Sequence, residues 1–265
     1  MGLFKPAWQN KNVEKAKAAV NKIKTQEEVA RAAREAESVD VRWTAVMRLL
    51  DDKVRAEIAK NDSSERVREI ATLFLKDQAV LTEIARNDTD RSVRIAAVRH
   101  IADQEVLVEI AKNDADSQVR IAAVWKITDH AVLAEIARND EYWLICCTAT
   151  EKLTDQTVLF DILKNHGDHL VRVAAARHFT DKEILINMSR NDENMFFRAN
   201  VAEILGDYAF LAEMAQNDSD SYGRMCAIGC LTDQALLTHI ARSDRDADVR
   251  EVAAERIAEL NCDDK

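Results

Sequence analysis

Residues 103–128 read DQEVLVEIAKNDADSQVRIAAVWKIT, and outward from this stretch the same 26-residue pattern returns in both directions without insertion or deletion. One grid of that period holds Arg42, Arg68, Arg94, Arg120, Arg172, Arg198, Arg224 and Arg250, with Cys146 its only other occupant. Nine residues beyond each stands an acid: Asp51, Asp77, Asp103, Asp129, Asp155, Asp181, Asp207 and Asp233, closed by Glu259. With the aspartate as position 0, the unit idealises to DQxVLxEIARNDxDxxVRxAAxxxLT. Self-similarity of this kind marks a solenoid, in which each unit is one supersecondary element stacked on the next.

Apolar residues at +3, +4, +7 and +8, such as Val106, Leu107, Ile110 and Ala111, form one stripe of a 3.6-residue period and predict a helix A. The aspartate at 0 is its N-cap, and asparagine at +10 (Asn61, Asn87, Asn113, Asn139, Asn165, Asn191, Asn217) predicts a left-handed exit. A second cap at +13 (Asp90, Asp116, Asp168, Asn194, Asp220, Asp246) opens helix B, whose stripe runs through +16, +20 and +24, as in Val119, Ala123 and Ile127. Alanine fills +20 in eight of nine units, with Val201 the exception, so two backbones are expected to approach closely there. Helices of about ten residues are marginal alone, and stacking must supply the core. The expected organisation is one domain: a cap and half-unit over 1–24, nine units over 25–258 and a tail over 259–265. Phe4 and Trp8 are expected to cover the first helix, Val13–Lys24, while Glu251, Glu255 and Arg256 make the last helix polar outside.

Composition agrees. Of the 265 residues 47% are hydrophobic and 32% charged, with five glycines and one proline, which favours a folded helical protein over glycine-rich phosphate loops or tight hairpins. A formal charge of −10 argues against a nucleic-acid partner, which needs clustered Lys and Arg. Nowhere do eighteen apolar residues run together, and Pro6 stands where a myristoylation signal wants Ser or Thr, so no membrane association is expected. Five cysteines in no staple-like spacing, and an N-terminus without an apolar run, predict a reducing, cytoplasmic setting.

The stretch N-D-x-D-x-x-V-R-x-A-A, NDADSQVRIAA at residues 113–123, resembles the core signature of HEAT repeats, and the resemblance spans nearly the whole chain. It implies an all-α, right-handed α-solenoid superhelix of about nine two-helix units, with helix B lining the concave side and a role in macromolecular recognition. It also implies a ladder between neighbouring repeats, built from Asp62/Arg68, Asp88/Arg94, Asp114/Arg120, Asp192/Arg198, Asp218/Arg224 and Asp244/Arg250. HEAT units are usually longer, and the short unit is also similar to the leucine-rich repeat variant family. That family carries an iron–sulfur cysteine cluster ahead of its repeats, whereas the first 145 residues here hold no cysteine.

Against this background two deviations stand out. On helix B, positions +18 and +22 point away from +20 and +24. They hold an apolar ridge with scattered charges that includes Trp43, Met47, Leu73, Ile95, Arg99, Ile121, Trp125, Glu151, Val173, Arg177 and Met225. The ridge is a candidate protein- or peptide-binding groove, with Trp43, Trp125, Arg99 and Arg177 its anchors; the competing reading is packing between neighbouring B helices. The second deviation breaks the ladder: Tyr142 replaces the cap, Cys146 the arginine and His166 the next aspartate. Adjacent Cys146 and Cys147 point about 100° apart on a helix, which disfavours a metal site with His166 and His169, and Cys226 and Cys230 read as buried thiols.

These readings favour a monomeric, non-enzymatic scaffold for a protein or peptide, without cofactor or metal. The alternatives are a HEAT-like enzyme or a chromophore-handling protein of the phycobilin lyase type, similar in the V-R-x-A-A stretch. The His-Glu dipeptides of deoxyhypusine hydroxylases are lacking, and the +18/+22 face is mixed in charge, unlike the basic track of helical-repeat DNA glycosylases.

Overall fold

The computed structural model describes residues 5–263, so the role expected for Phe4 lies outside the described residues. A 3-10 turn, Ala7–Gln9, precedes α1 (Val13–Lys22), which is followed by nine helix pairs. These are α2 (Gln26–Glu35) with α3 (Val39–Val46), α4 (Asp52–Asn61) with α5 (Glu65–Leu73), α6 (Gln78–Asn87) with α7 (Arg91–His100), and α8 (Gln104–Asn113) with α9 (Ser117–Lys126). There follow α10 (His130–Asn139) with α11 (Trp143–Thr150), α12 (Gln156–Asn165) with α13 (His169–His178), and α14 (Lys182–Asn191) with α15 (Met195–Leu205). The last are α16 (Tyr208–Asn217) with α17 (Ser221–Cys230), and α18 (Gln234–Ser243) with α19 (Ala247–Asp263). No strand occurs among the described residues. The fold is all-α, an α-solenoid in which successive helices pack pairwise.

Two compact units divide at Val132/Leu133, within α10. In the first, α1 packs on α3, α3 on α5, α5 on α7 and α7 on α9, while the A helices α2, α4, α6 and α8 touch only lightly. In the second, α11, α13, α15, α17 and α19 form the same close row. Alanine at +20 explains the row: Ala45, Ala71, Ala97, Ala123, Ala149, Ala175, Ala227 and Ala253 are fully buried, and a methyl lets the backbones approach. Trp8, packed at the start of the first unit, is also buried. At the other end the residues expected to form a tail continue α19 to Asp263, with Ile257 and Leu260 half-buried against the last core cluster.

The position-0 aspartates cap the A helices. Asp77 Oδ1 accepts from the Ala79 and Val80 N–H groups at 2.9 and 3.2 Å, Asp51, Asp103, Asp129, Asp155, Asp181 and Asp233 do likewise, and Asp207 accepts from the Phe210 N–H. The exits differ from expectation. No non-glycine residue among those described has positive φ; each +10 asparagine is the last helical residue, and Asp62, Asp88 and Asp114 after it are extended. Instead of turning left-handed, the asparagine amide folds back onto the carbonyl four residues earlier, at 2.9 Å from Asn61 to Glu57 and 3.0 Å from Asn87 to Glu83. The reason is the next residue. Each +11 aspartate accepts from the +13 N–H, as in Asp88 with Asp90 at 2.9 Å, a local turn that fixes the extended exit. Among the described residues the left-handed exit occurs once, at Gly206 (φ 71°) after α15.

The ladder runs between units. Arg68 donates from Nε and Nη2 to both Asp88 carboxylate oxygens at 2.8 and 2.9 Å, and from Nη1 to the main-chain carbonyl of Asp62 at 2.9 Å. The aspartate six residues back therefore supplies its carbonyl, and the carboxylate belongs to the following repeat. Arg42–Asp62, Arg94–Asp114, Arg172–Asp192, Arg198–Asp218 and Arg224–Asp244 repeat the ion pair. Arg94, Arg120, Arg224 and Arg250 repeat the carbonyl contact.

Three further rows were not apparent from the sequence pattern. Glutamine at +1 clamps the end of helix B: Gln78 donates to His100 O at 3.1 Å and accepts from Ala102 N at 2.9 Å, and Gln26, Gln104 and Gln156 do the same. Where Asp52 takes that position, the buried Arg55 substitutes, donating to Phe74 O and Leu49 O. Basic residues at +23 cap the preceding B helix, with Lys126 Nζ on Arg99 O at 2.6 Å, Arg48 on Ile23 O at 2.8 Å and Arg256 on Leu231 O at 3.1 Å. On the outside, Arg34–Glu57, Lys60–Glu83, Arg86–Glu109 and Arg138–Asp161 join successive A helices.

Inner and outer ion pairs should differ in worth. Arg224 and Asp244 are 2% and 7% exposed, and Asp244→Ala, which strands a buried guanidinium, is expected to cost about 3 kcal/mol. Glu57→Ala, breaking an exposed pair, is expected to cost under about 1 kcal/mol; urea denaturation compares them. Burial alone would raise the Asp244 pKa, but the Arg224 hydrogen bonds and the Asp246 N–H outweigh it and hold it below its ordinary value. A depressed folded-state pKa stabilises above the unfolded value, and that stabilisation is lost as pH falls through the folded one. The urea midpoint should thus decline on acidification below about pH 4, and less steeply in Asp244→Asn.

Candidate functional site

The ridge on helix B separates into two columns. Position +22 faces solvent: Met47, Arg99, Trp125, Glu151, Arg177, Glu203 and Glu255 are exposed and Leu73 half-buried. Position +18 turns toward the neighbouring B helix. Trp43, Ile95, Ile121 and Met225 are half-buried, while Cys147, Val173 and Ala199 are buried. Val173, at 4% exposure, offers no surface to a partner: close packing of the B row in the second unit closes over it. Met225 packs against the C-terminal core cluster.

In the first unit the two columns meet at α7 and α9. Between α7 and α9 lies an open groove of about 500 Å³ lined by Ile95, Arg99, Gln118, Ile121, Ala122, Trp125 and Lys126. Four of these belong to the sequence-derived ridge. The other three sit at +15, +19 and +23, the same face of α9 one residue around the helix, and that periodicity was the signal available for them. Trp125 is 56% exposed, more than any other tryptophan among the described residues. Arg99 is exposed, and its guanidinium has no hydrogen-bond or ion-pair partner among the described residues. Burial lowers the Lys126 pKa; its ammonium is tied to Arg99 O and retains two further N–H donors. Trp43 on α3, Met47 just after it and Leu73 on α5 lie earlier in the row and do not line this groove. In the second unit, Arg177 is exposed on α13 and Glu151 follows α11.

The ladder break is a paired loss. Cys146 Sγ donates to Asp140 O at 3.1 Å, so the thiol keeps the carbonyl contact that an arginine would make within its own unit. It carries no charge toward the following repeat. There His166 Nδ1 accepts from Asp168 N–H at 3.1 Å, keeping the turn that an aspartate would make but no carboxylate. Each residue preserves its local bond, and both lose the inter-repeat one. Tyr142 makes no side-chain cap; its N–H goes to Asp140 Oδ1 at 2.9 Å, and its ring lies 6.3 Å from that of Trp143.

Burial pushes the Cys146 thiol up to about 11 and the Cys147 thiol up to about 12. Cys230 is likewise raised, to about 12, by burial and by Glu203. Neutral thiols are poor nucleophiles and poor metal ligands. Among the described residues no group of three or more His, Cys, Asp or Glu is placed to hold a metal ion, and the His169 ring is instead edge-on to Phe196 at 5.0 Å. No described helix is long and apolar enough to cross a membrane.

No known family model matches the chain, and no curated protein matches it.

Restoring the missing rung is a direct probe. Cys146→Arg alone places a guanidinium against His166, and His166→Asp alone places a carboxylate without an arginine. Each single variant should be destabilised. The double variant should recover, with a coupling of about 1–3 kcal/mol in a double-mutant cycle by urea unfolding. For the thiols, iodoacetamide at pH 8 on native protein should label the exposed Cys262 and spare Cys146, Cys147 and Cys230 until denaturant is added, as read by mass spectrometry.

Proposed function

We propose that this chain is a non-enzymatic, HEAT-like scaffold that acts as a monomer and holds a protein or peptide partner on the exposed face of its B helices. One observation carries the reading: the α7/α9 groove presents a half-exposed tryptophan beside an arginine with no hydrogen-bond or ion-pair partner among the described residues. Trp and Arg dominate the energetics of recognition surfaces, and an open apolar groove with a few polar groups at its edge is a common form of binding site. The remaining charged residues support a scaffold by elimination. Most of the Asp and Arg columns serve caps and rungs that recur unit after unit, whereas a catalytic constellation would occur once. Free cysteines fit a reducing, cytoplasmic setting.

Affinity capture from the native cell, read by mass spectrometry, tests the proposal. Partners retained by the wild-type chain should be lost, by tenfold or so in recovered signal, with Trp125→Ala and with Arg99→Glu, while circular dichroism and the melting curve stay unchanged. Capture that is unaltered by both substitutions in correctly folded protein removes the B-helix face as the binding surface.

A further inference from the structure

We infer that the α7/α9 groove recognises a short acidic peptide segment, in which a large apolar side chain lies on Ile95, Ile121 and Trp125 and a neighbouring Asp or Glu pairs with Arg99. The inference rests on the scaffold reading above and adds the chemistry of the partner.

Charge is the argument. The chain as a whole is acidic, at −10, yet this groove has two cations and no carboxylate in its lining. Elsewhere on the B row the charged residues at +18 and +22 are Glu69, Glu151, Glu203, Glu251 and Glu255 against a single cation, Arg177. The sign at α7/α9 is therefore local. Most basic side chains nearby are already used: Arg94 is bound to Asp114, Arg91 lies 3.6 Å from Asp116, and Arg86 is paired with Glu109. Arg99 is the exception, with no described partner and an exposed head. A guanidinium of that kind matches a carboxylate bidentately. Lys126 lies beside it, and its remaining ammonium donors add a second positive contact.

The apolar half of the site sets the other requirement. Ile95 and Ile121 are half-buried and form a floor, and Trp125 stands 56% exposed at its edge. About 500 Å³ accommodates one or two large side chains and not a folded domain. A purely charged ligand would leave this surface uncovered, and a basic peptide would meet Arg99 and Lys126 with like charge, which disfavours binding.

The test pans random seven-residue peptides on phage against the immobilised full chain, with Trp125→Ala and Arg99→Glu proteins as counter-targets. Clones lost on Trp125→Ala are sequenced, and the leading peptide is synthesised and titrated by fluorescence anisotropy at low and high salt. The expected result is enrichment of sequences placing an aromatic or aliphatic residue next to Asp or Glu. Binding should weaken at least about fivefold with Arg99→Glu and weaken with salt. Enriched peptides that depend on Trp125 but show no acidic bias, or basic ones, overturn the inference and leave the scaffold reading standing. The same holds if the leading peptide binds Arg99→Glu as tightly as wild type. If no clone depends on Trp125, the groove is not a peptide site, and both readings fail together at this location.

Discussion

One carboxylate organises most of the repeats. The +11 aspartate accepts its own +13 N–H, which sets the extended link from helix A to helix B, and accepts the arginine of the preceding unit, which sets the distance to that neighbour. The arginine in turn grips the +11 carbonyl of its own unit. Helix exit, helix entry and inter-repeat spacing are thus fixed by one group of atoms, and the spacing cannot drift without breaking a buried, hydrogen-bonded ion pair. Such pairs add modest net stability because desolvation offsets their attraction; their effect is to select one register. Apolar burial along the B row supplies the favourable energy, and the rungs decide how it is arranged.

The rest of the solenoid follows from two unequal sides. Alanine at +20 brings the B helices together, while the A helices, lightly packed, are joined by exposed ion pairs between long side chains. Helix-terminal carbonyls are satisfied by the glutamine clamp and by the +23 bases. Where one device is missing another replaces it, as Arg55 does beside Asp52. This accounts for how ten-residue helices, too short to persist alone, hold together as a stack.

Much of this was legible in the sequence because repetition separates signal from accident. The period, the caps at Asp77 and its equivalents, the close approach at +20 and the break at Cys146 could all be read from columns. What could not be read had a geometric cause. The +10 asparagines suggest a left-handed exit by type alone, but the Asx-type turn of the following aspartate overrides that preference. The carboxylate paired with Arg42, Arg68, Arg94, Arg172, Arg198 and Arg224 lies twenty residues ahead rather than six behind, a choice that depends on how one unit sits on the next. Likewise +18 and +22 look equivalent on a helical wheel and diverge once a neighbouring helix covers one of them. Ile95 and Trp125 share a groove for that reason, while Val173 does not reach solvent.

The paired loss at Cys146 and His166 has a consequence for assembly. At an ordinary junction an arginine faces an aspartate, and a frame shifted by one repeat again sets an arginine against an aspartate. A shift across this junction sets a thiol against an aspartate, or an arginine against an imidazole, and leaves a charge stranded in each case. Among the described rungs, this uncharged junction is satisfied in its own register and leaves a charge unpaired when the repeats are shifted by one unit.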